Sequence, residues 1–434
     1  MNIFSKQMLM NKTGGQGNLD YGPFCFIIDT QNSDPTTAVT YFGNNANYTP
    51  ASMNFSTGQL DYGSWENAFF QPRPVMVKSN GTVDYELDHN DFTKKLDGTA
   101  SDVSNTSYDG NCMIAFPQVW MKFVGSDNAD GSSPTNSGRY QFVYIANQQI
   151  DNSYHCYTHQ NKNGTWLDEI FIMAYEPSNI SNKLRSLAGQ TILQSLSGVT
   201  MQTYAKANGN AWDFMDYGEL QMIQMLCILL FKSLDTQGKI GAGVVYSGNS
   251  ASTYATTGTT KNKGMFYAVC NNPTSSSATT PIKVFGIENL WGSRYKWFNG
   301  LVIPKLSSSS SNRVVKYKLC DYTTDGSTTT SYSAAGTGYK TLTNGLTSNI
   351  NGYINKMMLN SDGLFPTANN VSGSDSTYYC DKVYLNGSTS YDYFAFFSGP
   401  WGFGSAAGLF FITIGAQLSR ADANSGASLS CKPL

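Results

Sequence analysis

The residues of this chain best equipped for chemistry are few and poorly placed. His155-Cys156-x-x-His159 sets two imidazoles and a thiol close together, and histidines four apart converge on a metal when they share a helix face. Here they sit in Asn152-Ser-Tyr-His-Cys-Tyr-Thr-His-Gln-Asn-Lys-Asn-Gly164, a polar, turn-forming stretch, so no metal site is expected. His89 is the remaining one of three histidines, so any catalytic histidine would be one of these. Asp127-Asn-Ala-Asp-Gly131 and Asp321-Tyr-Thr-Thr-Asp-Gly326 carry oxygen ligands of the kind calcium takes, but neither follows the Asp-x-Asp-x-Asp-Gly ladder with a distal Glu. They read as Asp-Gly turns; calcium stays open, and no cofactor is required. The eight cysteines (Cys25, Cys112, Cys156, Cys227, Cys270, Cys320, Cys380, Cys431) contain no Cys-x-x-Cys pair, which is not zinc spacing. Reduced, buried thiols are the expectation, with a Cys380–Cys431 pairing left open. The adjacent acids Asp168 and Glu169 mean nothing alone. No nucleophile elbow, phosphate loop or dinucleotide fingerprint stands in a strand–turn–helix context. No enzyme is expected.

The other concentration of chemistry is aromatic. Tyr391, Tyr393, Phe394, Phe396, Phe397, Trp401, Phe403, Phe410 and Phe411 lie among glycines and small residues, with Asp392 the single charge. Ser398-Gly-Pro-Trp-Gly-Phe-Gly-Ser-Ala-Ala-Gly408 has neither a strand's nor a helix's period and reads as loop. Each ring covers roughly 150–250 Å². With a third of that exposed, these rings would present about 500 Å² of apolar surface, the upper end for a soluble monomer. Tyr and Trp also dominate binding hot spots. A recognition surface is the preferred reading; the alternative is that the rings close a core beneath a long loop.

The elements that would hold such a surface follow from composition and pattern. At 434 residues the chain exceeds the ~250–300 at which single cores stop growing, so two or more domains are expected. Charged residues make up 13%, about half the usual ~25%, and polarity comes from Ser, Thr, Asn and Gly instead. Such a chain favours strands and turns over helices. Its weakly charged, hydroxyl- and amide-rich, tyrosine-studded character resembles that of binding paratopes. A net charge of −2 leaves no electrostatic footprint for nucleic acid or an anionic membrane, and neither is expected as a partner. The opening Met1-Asn-Ile-Phe-Ser-Lys-Gln-Met-Leu-Met-Asn-Lys12 lacks a secretory h-region, and the apolar run Met225–Phe231 is far too short to span a membrane. Synthesis in a cytoplasm followed by release by lysis fits both observations.

Three parts are expected. Residues 1–68 form a small β-rich module with strands at Phe24-Cys-Phe-Ile-Ile-Asp29 and Thr37-Ala-Val-Thr-Tyr-Phe42. Residues 69–110 hold a hairpin about Asn80-Gly81, between Phe69–Lys78 and Val83–Leu87, and a solvated connector at Asp88–Asp97. Residues 111–434 are α+β. Strands are expected at Phe116–Val124, Tyr140–Ile145 and Ile170–Glu176, with a disordered-looking loop from Gly125 to Gly138. Two helices follow, near Gly198–Asn208 and Asp216–Leu234; the second is apolar nearly all round, carries Cys227 and is stopped by Gly238. Many short strands follow, including Lys283–Glu288 and Val314–Leu319.

At these helices the chain begins to resemble a family. Tyr217-Gly-Glu-Leu-Gln-Met-Ile-Gln-Met-Leu226, then Ile287-Glu-Asn-Leu-Trp-Gly-Ser-Arg-Tyr-Lys-Trp-Phe298, then Gly426-Ala-Ser-Leu-Ser-Cys-Lys-Pro-Leu434 stand in the order seen in the C-type-lectin fold of the formylglycine-generating-enzyme variety. That fold also serves the variable proteins of diversity-generating retroelements, among them phage receptor-binding proteins. Phe26–Tyr41 and Asp91–Val103 resemble tail proteins of gut-bacterial phages and prophages.

The resemblance implies a tail-fibre or tail-tip protein, carried on a virion, whose 111–434 part is a C-type-lectin-like domain binding a bacterial surface receptor, glycan or protein. It gives residues 1–68 to virion attachment and oligomerisation, with other tail or baseplate subunits as partners and a homo-oligomer, a trimer, as the assembly. Carried over by position, the receptor-binding residues are Phe397, Ser398, Trp401, Phe403, Ser405, Ala406, Phe410, Phe411 and Thr413. The alternatives are a structural baseplate or tail protein without receptor contact and, behind it, an oxidase like the formylglycine-generating enzymes. For the latter, Cys380 and Cys431 stand in the wrong local context.

Overall fold

The computed structural model describes residues 22–161, 163–305, 313–319, 338–342, 346, 348–367, 369–386 and 391–434. Among the described residues strands account for 33% and helices for 8%, the balance expected of a Tyr-, Thr- and Gly-rich composition. The molecule is α+β, with several sheets, two substantial helices and many short strands.

A four-stranded antiparallel sheet runs in the order Val39–Gly43, Phe24–Asp29, Tyr140–Ala146, Trp120–Ser126. The strand Phe24–Asp29 is apolar on both faces and buried along most of its length, so both its edges need a neighbour. Tyr140–Ala146 supplies the second edge, and the first two strands therefore do not close a sheet of their own. A six-stranded sheet runs Trp212–Asp213, Ser430–Cys431, Glu169–Met173, Gly110–Pro117, Arg73–Lys78, Val83–Glu86. Its last two strands are the expected hairpin, turned at Gly81, which has φ +86°. The four-stranded sheet thus joins strands from before residue 68 to strands after residue 110, and the six-stranded sheet joins the 69–110 hairpin to strands of the later part. One hydrophobic core runs from Phe24 through Phe116 and Ile223 to Cys431.

Several sequence expectations are corrected by backbone detail. Phe116–Val124 is two strands, Gly110–Pro117 and Trp120–Ser126, in different sheets, because the chain turns after Pro117. Lys283–Glu288 is a tight hairpin rather than one strand: Phe285 and Gly286 both have positive φ, and Lys283 pairs with Glu288. The connector at 88–97 is only partly solvated, since Phe92 is fully buried with the Lys283 ammonium 3.3 Å from its ring centroid. The loop 125–138 is tied back to its strand by a bridge between Ser126 and Pro134.

Helix α1 spans Gly198–Lys206 and helix α2 spans Tyr217–Phe231. Every residue of α2 is buried. Asp216 and Glu219 form a reciprocal capping box at its start, which satisfies amide groups that would otherwise be orphaned in the core. It ends at Lys232 in the left-handed conformation, not at Gly238, which lies inside a separate short helix, Thr236–Lys239. Against α2 packs the strand Tyr295–Ile303, all nine residues buried, at the centre of the third large sheet. This sheet runs Lys340–Thr341, Lys316–Tyr317, Tyr295–Ile303, Tyr393–Phe397, Ile412–Ala416, Lys382–Leu385, Ile350–Tyr353, and Ser425–Ala427 adds parallel to Tyr295–Ile303.

Candidate functional site

The aromatic segment is a hairpin on this sheet. Tyr393–Phe397 and Ile412–Ala416 are antiparallel neighbours, with Phe396 opposite Thr413 and Phe397 opposite Ile412. The intervening chain leaves the sheet at Ser398 (φ +94°) and Gly399 (φ +63°). A Cβ on Gly399 would lie 2.6 Å from Ala407 Cβ, so only glycine permits the loop to fold back over itself there.

Beneath the loop stands a buried polar post. Lys296 Nζ, fully buried, donates to Ser398 Oγ at 2.9 Å and pairs with Glu176 at 3.1 Å. Burial lowers the Lys296 pKa, and the Glu176 carboxylate pulls it back. Ser398 Oγ in turn donates to Gly292 O at 3.0 Å. Asn289 Nδ2 donates to the second Glu176 oxygen at 2.9 Å. Glu288 accepts from the amides of Gly258 (2.6 Å) and Thr260 (2.7 Å), from the Thr260 hydroxyl (2.6 Å) and from the Tyr254 hydroxyl. Trp291 Nε1 donates to Gly241 O at 3.0 Å, and Arg294 donates to Ala251 O at 2.8 Å. The run Ile287–Phe298 is thus a buried hub, and Glu288, Trp291 and Arg294 each bond to a neighbouring loop. Such groups persist inside a protein only when partnered, and partnered they rigidify it.

The tip of the hairpin lies on this hub. Trp401 stacks over the Arg294 guanidinium at 4.4 Å, and its amide donates to Ser293 O at 3.1 Å. Phe403, 38% exposed, meets Tyr295 and Phe411 edge-on at 5.6 and 5.7 Å. Gly404 N donates to Val245 O at 2.7 Å. Ser405 is within 3.3 Å of both the Tyr353 hydroxyl and Asp375 Oδ2. Arg420 covers the Tyr295 ring from 5.2 Å. The tip therefore offers solvent a half-buried indole, an exposed phenyl and a hydroxyl, bordered by Tyr353, Asp375 and Arg420.

The nine receptor-binding positions carried over by resemblance do not form one surface. Phe397, Ser398, Ala406, Phe410, Phe411 and Thr413 are buried; Trp401 and Ser405 are half-buried; only Phe403 is exposed. Phe397 packs edge-on against Phe298, and Phe410 against Tyr379. Thr413 sits in a strand paired on both sides. Of the nine rings between residues 391 and 411, Tyr393, Phe394, Phe396, Phe397, Phe410 and Phe411 are core, so the expected apolar surface shrinks to Trp401 and Phe403 at the tip and Tyr391 elsewhere. Tyr353, Asp375 and Arg420 were not singled out from the sequence, because the tertiary fold rather than spacing brings a strand end and two turns to the tip. Arg294 carried a signal in hindsight: a cation inside the apolar run Trp291–Phe298 needs a ring or carbonyls to face.

The remaining candidates take structural positions. His159 is fully buried; its ring nitrogens lie 2.6 Å from Thr158 Oγ1 and 3.1 Å from Phe116 O. Burial pushes its pKa down to about 3, so it is neutral. His155 stacks on Tyr157 at 5.0 Å. Among the described residues no group of three or more His, Cys, Asp or Glu is placed to hold a metal. Asp130 caps Ser132 in an ordinary turn, and Asp321–Gly326 lies outside the described residues. Cys380 and Cys431 are both free thiols, buried and shifted upward in pKa by that burial.

No known family model matches the chain, and no curated protein matches it. Among solved structures the chain is similar to one titled Major Tropism Determinant I1 Variant, over 84% of this chain and 72% of that one, at 12% identity and a TM-score of 0.30.

Proposed function

We propose that this chain is a phage tail-fibre or tail-tip protein that binds a receptor on the bacterial surface, with the hairpin tip Trp401–Ser405 as the contact. The observation that carries the reading is the pairing of a small aromatic tip with a buried base: Trp401, half-buried on Arg294, and Phe403, exposed, sit on the loop between strands whose rings are core. Pre-ordered aromatics lose little freedom on binding, which is what a hot spot needs. The order of sequence motifs resembling phage tail and retroelement variable proteins supports the same reading. On it, residues 1–68 attach the protein to the virion and drive homotrimer formation, residues 69–110 connect, residues 111–434 form the C-type-lectin-like receptor-binding part, and binding involves no catalysis and no cofactor.

The test is adsorption. Virions carrying Trp401→Ala with Phe403→Ala should assemble in normal yield and adsorb to host cells at least tenfold more slowly. Unchanged adsorption by such virions sinks the proposal. Finding both rings covered by a neighbouring subunit in the assembled particle would instead make this a structural tail component.

A further inference from the structure

We propose that a second site, the cleft between the loop 125–138 and residues 356–360 and 369–370, binds an uncharged oligosaccharide. Two adjoining hollows of about 720 and about 420 Å³ share Thr135, Asn136 and Asn360. Each falls within the ~300–1,000 Å³ of small-ligand sites. One side of the cleft is supplied by the consecutive residues Thr135, Asn136 and Ser137, the other by Asn360, Asn369 and Asn370. Every one of these side chains carries both a donor and an acceptor or can serve as either, which is also the character of a sugar hydroxyl. Asn136 and Asn369 are exposed, and neither amide has a partner among the described residues. Pro134 and Met358 add apolar surface suited to the C–H face of a sugar ring.

Amide and hydroxyl side chains outnumber charge in the cleft. Lys356 is the one ionisable side chain among the described residues lining the cleft, and its ammonium is turned towards the backbone of the loop. It donates to the backbone carbonyls of Ser137 (3.2 Å) and Gly138 (3.1 Å), and burial lowers its pKa. That bond braces one side of the cleft against the other. Gln141 Nε2 adds a second brace, to Met357 O at 2.8 Å. Within the loop, Thr135 N donates to Gly125 O at 2.9 Å, and a Cβ on Gly125 would strike Thr135 O at 2.0 Å. The cleft is therefore formed before a ligand arrives, which reduces the ordering cost that weak saccharide contacts must overcome. This site does not depend on the hairpin tip.

The test is saturation-transfer NMR on the full chain with chitotriose, cellotriose, maltotriose and mannotriose, and with sialyllactose as an anionic comparison. At least one neutral trisaccharide should receive saturation, and more strongly than sialyllactose. Asn136→Ala combined with Asn369→Ala, both exposed and so compatible with folding, should weaken that binding at least tenfold. Trp401→Ala should leave it unchanged. No transfer to any neutral probe, a preference for sialyllactose, full binding by the double asparagine variant, or loss confined to Trp401→Ala would each overturn the proposal. Because the tip reading is judged by adsorption and this one by saccharide binding, either can fail alone.

Discussion

Lys432 Nζ lies 2.7 Å from Asp216 Oδ2, and both side chains are completely buried. The other Asp216 oxygen caps the Glu219 amide at 3.0 Å, Glu219 reaches back to the Asp216 amide at 2.8 Å, and Ser430 Oγ donates to Glu219 at 2.5 Å. One cation thus faces two carboxylates at the positive end of α2; the helix N-terminus favours the carboxylates, and Lys432 is held there by them. Burial raises the Glu219 pKa, and Lys432 opposes that rise.

Lys432→Met should therefore be severe. It leaves two carboxylates in the core without a counter-ion, and removal of one partner of a buried pair typically costs about 3–5 kcal/mol. Urea unfolding of the variant should show a loss in that range; a change below about 1 kcal/mol would mean that the cluster is not held as described.

Asp213 gives a pH signature. Burial raises its pKa to about 6 from an ordinary 3.8, opposed by Lys206 and by hydrogen bonds from Gln202 and the Phe214 amide. Between those values the folded chain keeps a proton that the unfolded chain has released, so this group's contribution to stability declines as pH rises from about 4 to about 6 and is level above. Both hydrogen bonds go to Oδ1, which an asparagine can reproduce. Asp213→Asn should flatten that decline, by on the order of 1–3 kcal/mol across the window, in denaturation midpoints measured at pH 4, 5, 6 and 7.

The hairpin should respond to truncation in two regimes. Phe397→Ala removes a core ring packed on Phe298 and should cost about 3–5 kcal/mol. Phe403→Ser, at an exposed position, should cost less than about 1 kcal/mol. Equal effects on the melting temperature would contradict the division between core and tip.

Gly399→Ala tests the base of the loop. A residue with a Cβ at φ +63° pays roughly 1–2 kcal/mol, and the contact with Ala407 adds to that. A lowered melting temperature is expected, with faster amide exchange confined to residues near 398–411.

Much of this architecture was legible in the chain. Asp216 and Glu219 announced the start of α2, its all-round apolar surface announced its burial, and Asn80-Gly81 announced a hairpin. Pairing across distant segments was not legible: nothing local marks that Phe24–Asp29 takes Tyr140–Ala146 as its second neighbour. Left-handed residues other than glycine, such as Lys232 and Phe285, also went unread, since tertiary contacts rather than local preference hold them. At the candidate site composition drew attention to residues 391–413, but an apolar loop reads the same whether it is covered or bare. Only the hub at 287–298 and the surrounding loops decide which rings are covered.

That hub and hairpin divide the segment between positions that can vary and positions that cannot. Gly399 leaves no room for a Cβ, Ser398 is bonded beneath the loop and the paired rings are core, whereas Trp401, Phe403 and Ser405 lie at the tip and rest on Arg294, on Tyr295 and Phe411, and beside Tyr353. If the tip is the contact proposed above, replacements at those three places would alter what it meets while the strand pairing beneath stayed the same.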